Sequence, residues 1–141
     1  MALATAMNER IALCRDTRRS NCAGTALYIV GMQDSDRFVT GGRRIPRHVL
    51  KPLARLEEPA EGCLVVWERQ WMGMTGINHM AVVTSTEPLL VTQRPAYKGP
   101  LEEDKPISIA SMFYIGQRRT YYMPNASVKV PWHLHWRFLP D

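Results

Sequence analysis

Cysteine, acidic charge and long apolar runs are all scarce in this chain of 141 residues. The three cysteines, Cys14, Cys22 and Cys63, are odd in number and show no CxxC spacing. That argues against a disulfide framework and a cysteine zinc site, and it fits synthesis in a reducing compartment. No stretch approaches the roughly 20 apolar residues that span a bilayer, so no membrane span is expected. The start, Met1-Ala2-Leu3-Ala4-Thr5-Ala6, gives way to Asn8-Glu9-Arg10 too soon for a secretory h-region. The expectation is a protein made in the cytoplasm without a classical signal peptide, and exported by a dedicated secretion route if it acts outside. Repeats, low-complexity segments and a linker are lacking too, so residues 1–141 should form a single domain around one core.

Lysine and arginine exceed the acidic residues by 18 − 13 = 5. A surplus of this sign favours anionic partners such as nucleic acid, acidic lipid or anionic cell-wall polymer. The arginines come in scattered pairs, Arg18-Arg19, Arg43-Arg44 and Arg118-Arg119, with no helix-turn-helix, zinc-finger or RNP-type signature around them. A nucleic-acid partner is therefore not expected.

Ser20-Asn21-Cys22-Ala23-Gly24 places a thiol where a loop turns into an apolar helix. Ser20 and Asn21 are good N-cap residues, and Ala23, Ala26, Leu27 and Val30 recur at helical spacing until Gly31. Cys22 in the first turn would meet unpaired N–H groups and the positive end of the helix dipole, which favour thiolate. A free cysteine is also among the residues that most often simply pack in a core. Before this helix a shorter one is expected over 7–15. After it, Asp34 to Arg47 has the composition of a surface loop, followed by a short helix from Val49 to Leu56 interrupted at Pro52.

From Glu61 onward the pattern is that of strands. Leu64–Glu68, His79–Thr84 and Leu89–Gln93 should be sequential antiparallel neighbours, with a glycine-bearing loop at 71–76 and a turn at 85–88. Ile107–Ile109 looks extended, 110–115 like a helical turn, and Arg119–Met123 like a further strand. The tail from Val128 alternates, with Trp132, Leu134 and Trp136 on one face and His133 and His135 on the other. Two histidines so spaced could clamp a metal, but no third ligand stands beside them, so neither a metal site nor any cofactor is assigned.

His79 opens an otherwise apolar strand, where packing gives no reason for an imidazole. A thiol nucleophile needs an imidazole within about 3–4 Å as proton partner, and the imidazole needs a polar group on its other nitrogen. Four segments in order resemble the NlpC-type cell-wall peptidases, papain-like cysteine endopeptidases of peptidoglycan. Asn21-Cys22-Ala23-Gly24 is similar to that family's Asp-Cys-Ser-Gly helix start, and Glu61 to Trp67 to its Pro-Gly-Asp-Leu-Val-Phe-Phe strand entry. Asn78-His79-Met80-Ala81-Val82-Val83 resembles its Ser-His-Val-Gly-Ile-Tyr strand, and 107–123 its closing segment. The likeness covers 18–123 and leaves 124–141 as an extra C-terminal segment. It departs at Asn21 and Cys63, where the family has aspartates, and at the third catalytic position, commonly histidine.

The resemblance implies an α+β papain-like fold, with N-terminal helices packed on one antiparallel sheet of about five strands. It implies a Cys22–His79 dyad that cleaves an amide bond in peptidoglycan stem peptides through an acyl-enzyme. Strand parity narrows the third residue. An odd loop at 84–88 pairs His79 with Gln93, whereas a two-residue loop puts Thr92 and Arg94 on its face. Gln93 is preferred because its amide carbonyl can accept from the ring, and Thr92 is the fallback. Trp67, Trp71 and Asn78 stand close enough in sequence to line a substrate cleft, although core packing also suits the tryptophans. Two alternatives remain open: an impaired module of the same fold that binds cell wall or another anionic partner, and a CHAP-type amidase. A wall hydrolase without a signal peptide suits a secreted antibacterial effector, which implies a cognate inhibitor protein, or a lysis enzyme.

Overall fold

The computed structural model describes residues 4–40 and 44–135, without the side chain of Trp71. Helix α1 spans Thr5–Cys14 and buries Ile11 and Cys14, three residues apart and hence on one side. Helix α2 spans Cys22–Ile29, and every residue from Ala23 to Ile29 is buried. Such a helix is apolar all round and needs neighbours on all sides. Asn21 caps it, its Oδ1 accepting from Gly24 N at 2.9 Å, and the same side chain clamps Val39 through N–H (3.2 Å) and carbonyl (2.9 Å) contacts. Gly31, at φ +84°, ends it in a conformation that suits glycine.

Among the described residues, six strands form one antiparallel sheet in the order β1-β6-β2-β3-β4-β5. They are β1 (Arg55–Leu56), β2 (Leu64–Trp71), β3 (Met74–Thr86), β4 (Leu89–Gln93), β5 (Glu102–Pro106) and β6 (Arg118–Tyr122). The class is α+β as expected, with one strand beyond the about five anticipated. Strand β5 escaped the pattern because Glu-Glu-Asp-Lys-Pro has no apolar alternation. It lies at the sheet edge, where charge and proline discourage further pairing. The loop expected at 71–76 is only the two-residue turn Met72-Gly73. Both residues have positive φ (49° and 75°), the geometry that lets twisted strands run straight through a tight hairpin.

The sheet has two covered faces. Leu64, Val66, Met80 and Val82 pack with α1, α2 and the segment 45–53 in the larger core. Val65, Trp67, Ala81, Val83 and Val91 form a second core with Ile107 and Ala110 of α3 (Ile107–Ala110). Ile107–Ile109 is thus helical rather than extended. The helix expected at 49–56 is instead a π-helical turn at Pro46–Leu50, followed by β1. The tail is not a strand: Trp132–His135 is a 3-10 turn in which Leu134 is buried and Trp132 is 78% exposed, so the two do not share a face. Trp136 lies outside the described residues. Among the described residues no helix is long and apolar enough to cross a membrane.

Candidate active site

Cys22 occupies the first position of α2, where the cap at Asn21 leaves the first N–H groups of the helix free of helical acceptors. The backbone N–H groups of Met80, Ala23 and Cys22 itself are directed at the sulfur. The thiol therefore lies against β3 at the residue following His79. The β3–β4 ladder runs from Thr86↔Leu89 to Val82↔Thr92 and so stops short of this point. Beyond it the chain leaves β3, and Arg94 turns to α2, where its Nε donates to Thr25 Oγ1 at 2.8 Å.

His79 is 1% exposed and held on three sides. The Trp67 ring lies 5.1 Å from it, tilted by 43°, and the Tyr114 ring stacks on it at 4.9 Å and 10°. Trp67 is itself fixed by an Nε1 donation to Ser111 Oγ at 3.1 Å. In the ring plane, His79 Nε2 and Gln93 Oε1 are 2.6 Å apart, while Gln93 Nε2 donates to Glu102 Oε1 at 2.9 Å. The Glu102 carboxylate can only accept, so it turns the amide N–H₂ toward itself and the amide carbonyl toward the imidazole. A carbonyl in turn requires that Nε2 carry the proton. Neutral His79 then has its lone pair on Nδ1, and that nitrogen is buried without a hydrogen-bond partner.

An orphaned buried acceptor costs about 1–3 kcal/mol. Its retention one residue before Met80, whose backbone N–H meets the Cys22 sulfur, is the feature that most calls for a chemical role.

Burial sets both charge states. It raises the Cys22 thiol above its ordinary value despite the N–H groups that favour thiolate, so the helix-start effect anticipated from sequence is outweighed. It lowers the His79 imidazole, against the Gln93 hydrogen bond and the charge of Glu102, which both favour the cation. Both directions favour the uncharged forms, thiol and neutral imidazole, at neutral pH. Among the three free cysteines, Cys14 and Cys63 are buried and only Cys22 keeps part of its surface open.

The other residues singled out from sequence fall in different places. Gln93 is on the imidazole. Thr92 is on the opposite side of its strand, buried, its Oγ1 accepting from Asp104 N at 3.3 Å. Trp67 is 1% exposed and supports the histidine ring from below. Asn78 is exposed and donates to Gln117 Oε1 at 2.9 Å. The side chain of Trp71 lies outside the described residues. His133 meets His48 edge to face at 5.6 Å, and His135 Nε2 contacts Gln33 Oε1 at 2.8 Å. Among the described residues no three metal-ligating side chains converge.

Sequence reasoning missed Glu102 and Tyr114. Glu102 sits in a strand that has no strand pattern. Tyr114 lies in a 3-10 turn (Met112–Tyr114) beside the exposed apolar residues Ile109, Met112, Phe113 and Ile115, and no spacing ties it to His79. The chain matches no protein-family model, no curated protein and no solved structure.

Proposed function

We propose that this chain is a papain-like cysteine hydrolase that cleaves an amide bond in the peptide stems of peptidoglycan. The observation that carries the chemistry is the buried, unpartnered Nδ1 of His79, its Nε2 engaged by Gln93, on the residue that precedes Met80, whose backbone N–H meets the Cys22 sulfur. In this reading Cys22 Sγ attacks the amide carbonyl carbon as its proton moves to Nδ1. The oxyanion gathers at the N–H groups of the first turn of α2. The imidazolium then protonates the leaving amine, and an acyl-enzyme remains. Water, deprotonated by Nδ1, releases the acid and restores the thiol. Gln93 holds the imidazole in its tautomer and orientation, the part played by the polar third residue, and Glu102 holds Gln93.

The substrate class rests on the ordered likeness of 18–123 to the NlpC-type peptidases and on the net positive charge. Delivery as a secreted effector, with a cognate inhibitor in the producing cell, or as a lysis enzyme suits the same reading. Mass spectrometry of purified muropeptides incubated with protein under reducing conditions tests it. Cleavage that disappears in Cys22→Ala is the expected result. A second reading, a catalytically impaired module of the same fold, is favoured by one observation: burial shifts both members of the dyad away from the thiolate–imidazolium pair. Intact muropeptides together with binding to cell-wall sacculi would select it.

A further inference from the structure

On the helix-covered face of the sheet, across from His79, a cleft of about 1060 Å³ opens between the π-helical turn Pro46–Leu50 and strands β1, β2, β3 and β6. Five of its lining residues are cations, Arg44, Arg47, Lys51, Arg55 and Arg118, and one is an acid, Glu68. Arg44, Arg47 and Lys51 follow one another at intervals of three and four residues, which sets them along one side of the helical turn. That turn carries an i→i−5 bond, Lys51 N to Pro46 O at 2.9 Å, a rare winding that is frequent at functional sites.

The one acid does not neutralise them. Glu68 is 4% exposed, its Oε1 accepts from Tyr122 Oη at 2.6 Å, and its Oε2 lies 3.9 Å from Arg118. The hydrogen bond holds the Tyr122 phenol protonated, its pKa pushed up to about 12 by burial first and by Glu68 second. Among the described residues no ion pair engages Arg44, Arg47, Lys51 or Arg55. Four unpaired cations in one concavity repel one another, and the field of a cleft lined by one sign is focused toward its mouth. The lining holds no exposed aromatic on which a base could stack, which argues against single-stranded nucleic acid.

We infer that this cleft is a second binding site, which takes an oligoanion carrying closely spaced phosphate or carboxylate groups. Arginine suits both because its planar fork matches either oxyanion in bidentate fashion. His79 lies on the other side of the sheet, so the cleft would hold a chain rather than present a bond to the imidazole. The inference does not depend on the thiol chemistry.

Isothermal titration of the full chain with tripolyphosphate and with a short oligoglutamate separates the two sources of oxyanion. Saturable binding at a single site is expected for at least one, weakening steeply as salt rises. The double variant Arg47→Gln/Lys51→Gln should lose about tenfold or more in affinity, and Arg18→Gln/Arg19→Gln, outside the cleft, should lose little. Arg47 and Lys51 are exposed, so an unchanged urea midpoint will certify folding, and Arg55→Gln gives an independent check. Three outcomes overturn the proposal: no saturation by either anion, equal loss in both double variants, or tighter binding of a single-stranded oligonucleotide of equal charge. Because binding is read without turnover, intact muropeptides leave it standing, and loss of oligoanion binding leaves muropeptide cleavage standing.

Discussion

At the scale of single residues, the site is a line of hydrogen bonds, Glu102 to Gln93 to His79, that ends in a lone pair with nothing to accept. Each link fixes the orientation of the next, which ranks the variants. Cys22→Ala removes the proposed nucleophile and, on the proposed function, should bring muropeptide cleavage to background. Gln93→Ala frees the imidazole to exchange tautomers but leaves it in its aromatic sandwich. Its rate should fall by about 10²-fold, within the roughly 10²–10⁴ that a whole general base supplies. Thr92→Ala, on the other side of the strand, should stay within about twofold of wild type in steady-state kinetics. A larger loss for Thr92 than for Gln93 would contradict the placement of the third residue. The histidines also set a pH dependence. Burial lowers the folded pKa of both His79 and His135 from the ordinary 6.5. Between the lowered value and 6.5 the unfolded chain binds more protons than the native one, so stability should fall as pH drops through that window. Urea unfolding between pH 5 and 7.5 should show this slope. His79→Gln should flatten it only in part, because the contribution of His135 remains.

At the scale of elements, the position of the thiol depends on how closely α2 approaches its surroundings. A Cβ on Gly24 would overlap the Arg37 carbonyl and crowd Ser20 Oγ. The glycine also shares Gln33 with that carbonyl, Gln33 Nε2 donating to Gly24 O at 2.8 Å and to Arg37 O at 3.1 Å. Gly24→Ala should therefore destabilise by about 1–3 kcal/mol in denaturant melts although it improves helix propensity, because overpacking outweighs propensity at a backbone contact. Helix α2 was legible because its signals are local: a cap at Asn21, apolar residues at helical spacing and a stop at Gly31. The expected pairing of His79 with Gln93 across an odd loop at 84–88 is not the register found, since Val82 pairs with Thr92; only the face that the two side chains share was legible. The β3–β4 loop is the two-residue Glu87-Pro88, which by simple parity puts Thr92 and Arg94 on the face of His79. A bulge between Val83 and Ser85 inserts one extra residue, Thr84, restores the other parity and returns Gln93 to the imidazole. A bulge leaves no mark in an alternation of this length. Glu102 and Tyr114 stayed hidden for a different reason, since their roles exist only once long-range packing brings β5 and the 3-10 turn to His79.

At the scale of the whole molecule, one side chain joins the parts that the sheet does not. Arg94 is 0% exposed, and its guanidinium donates to Thr25 Oγ1 of α2 (2.8 Å), to Cys14 O at the end of α1 (2.8 Å), to Gly99 O (2.6 Å) and to Asp36 Oδ2 (2.9 Å). Asp36 also accepts from Thr25 Oγ1 at 2.8 Å, and its side chain is 3% exposed. Both helices, the 34–40 segment and the chain leaving β4 therefore meet at one ion pair. A planar fork can satisfy several acceptors at once, which a hydrophobic residue of similar volume cannot. Removing one partner of such a pair leaves the other charge buried, a loss of about 3–5 kcal/mol. Arg94→Ala should cost that much in urea unfolding, and Arg94→Met nearly as much, because both strand Asp36. The double variant Arg94→Met/Asp36→Leu should recover part of the loss, since it removes both charges together. The Cys14 thiol gives a local readout. Burial first, and Asp36 second, hold its pKa far above the ordinary value while Arg94 pulls it down, so it should alkylate slowly in the native chain, and faster alkylation in Arg94→Ala would report opening of the helix junction rather than a more acidic thiol. Unchanged Cys14 reactivity with unchanged stability would mean that the helices are held by apolar packing alone and that the ion pair only fills their junction.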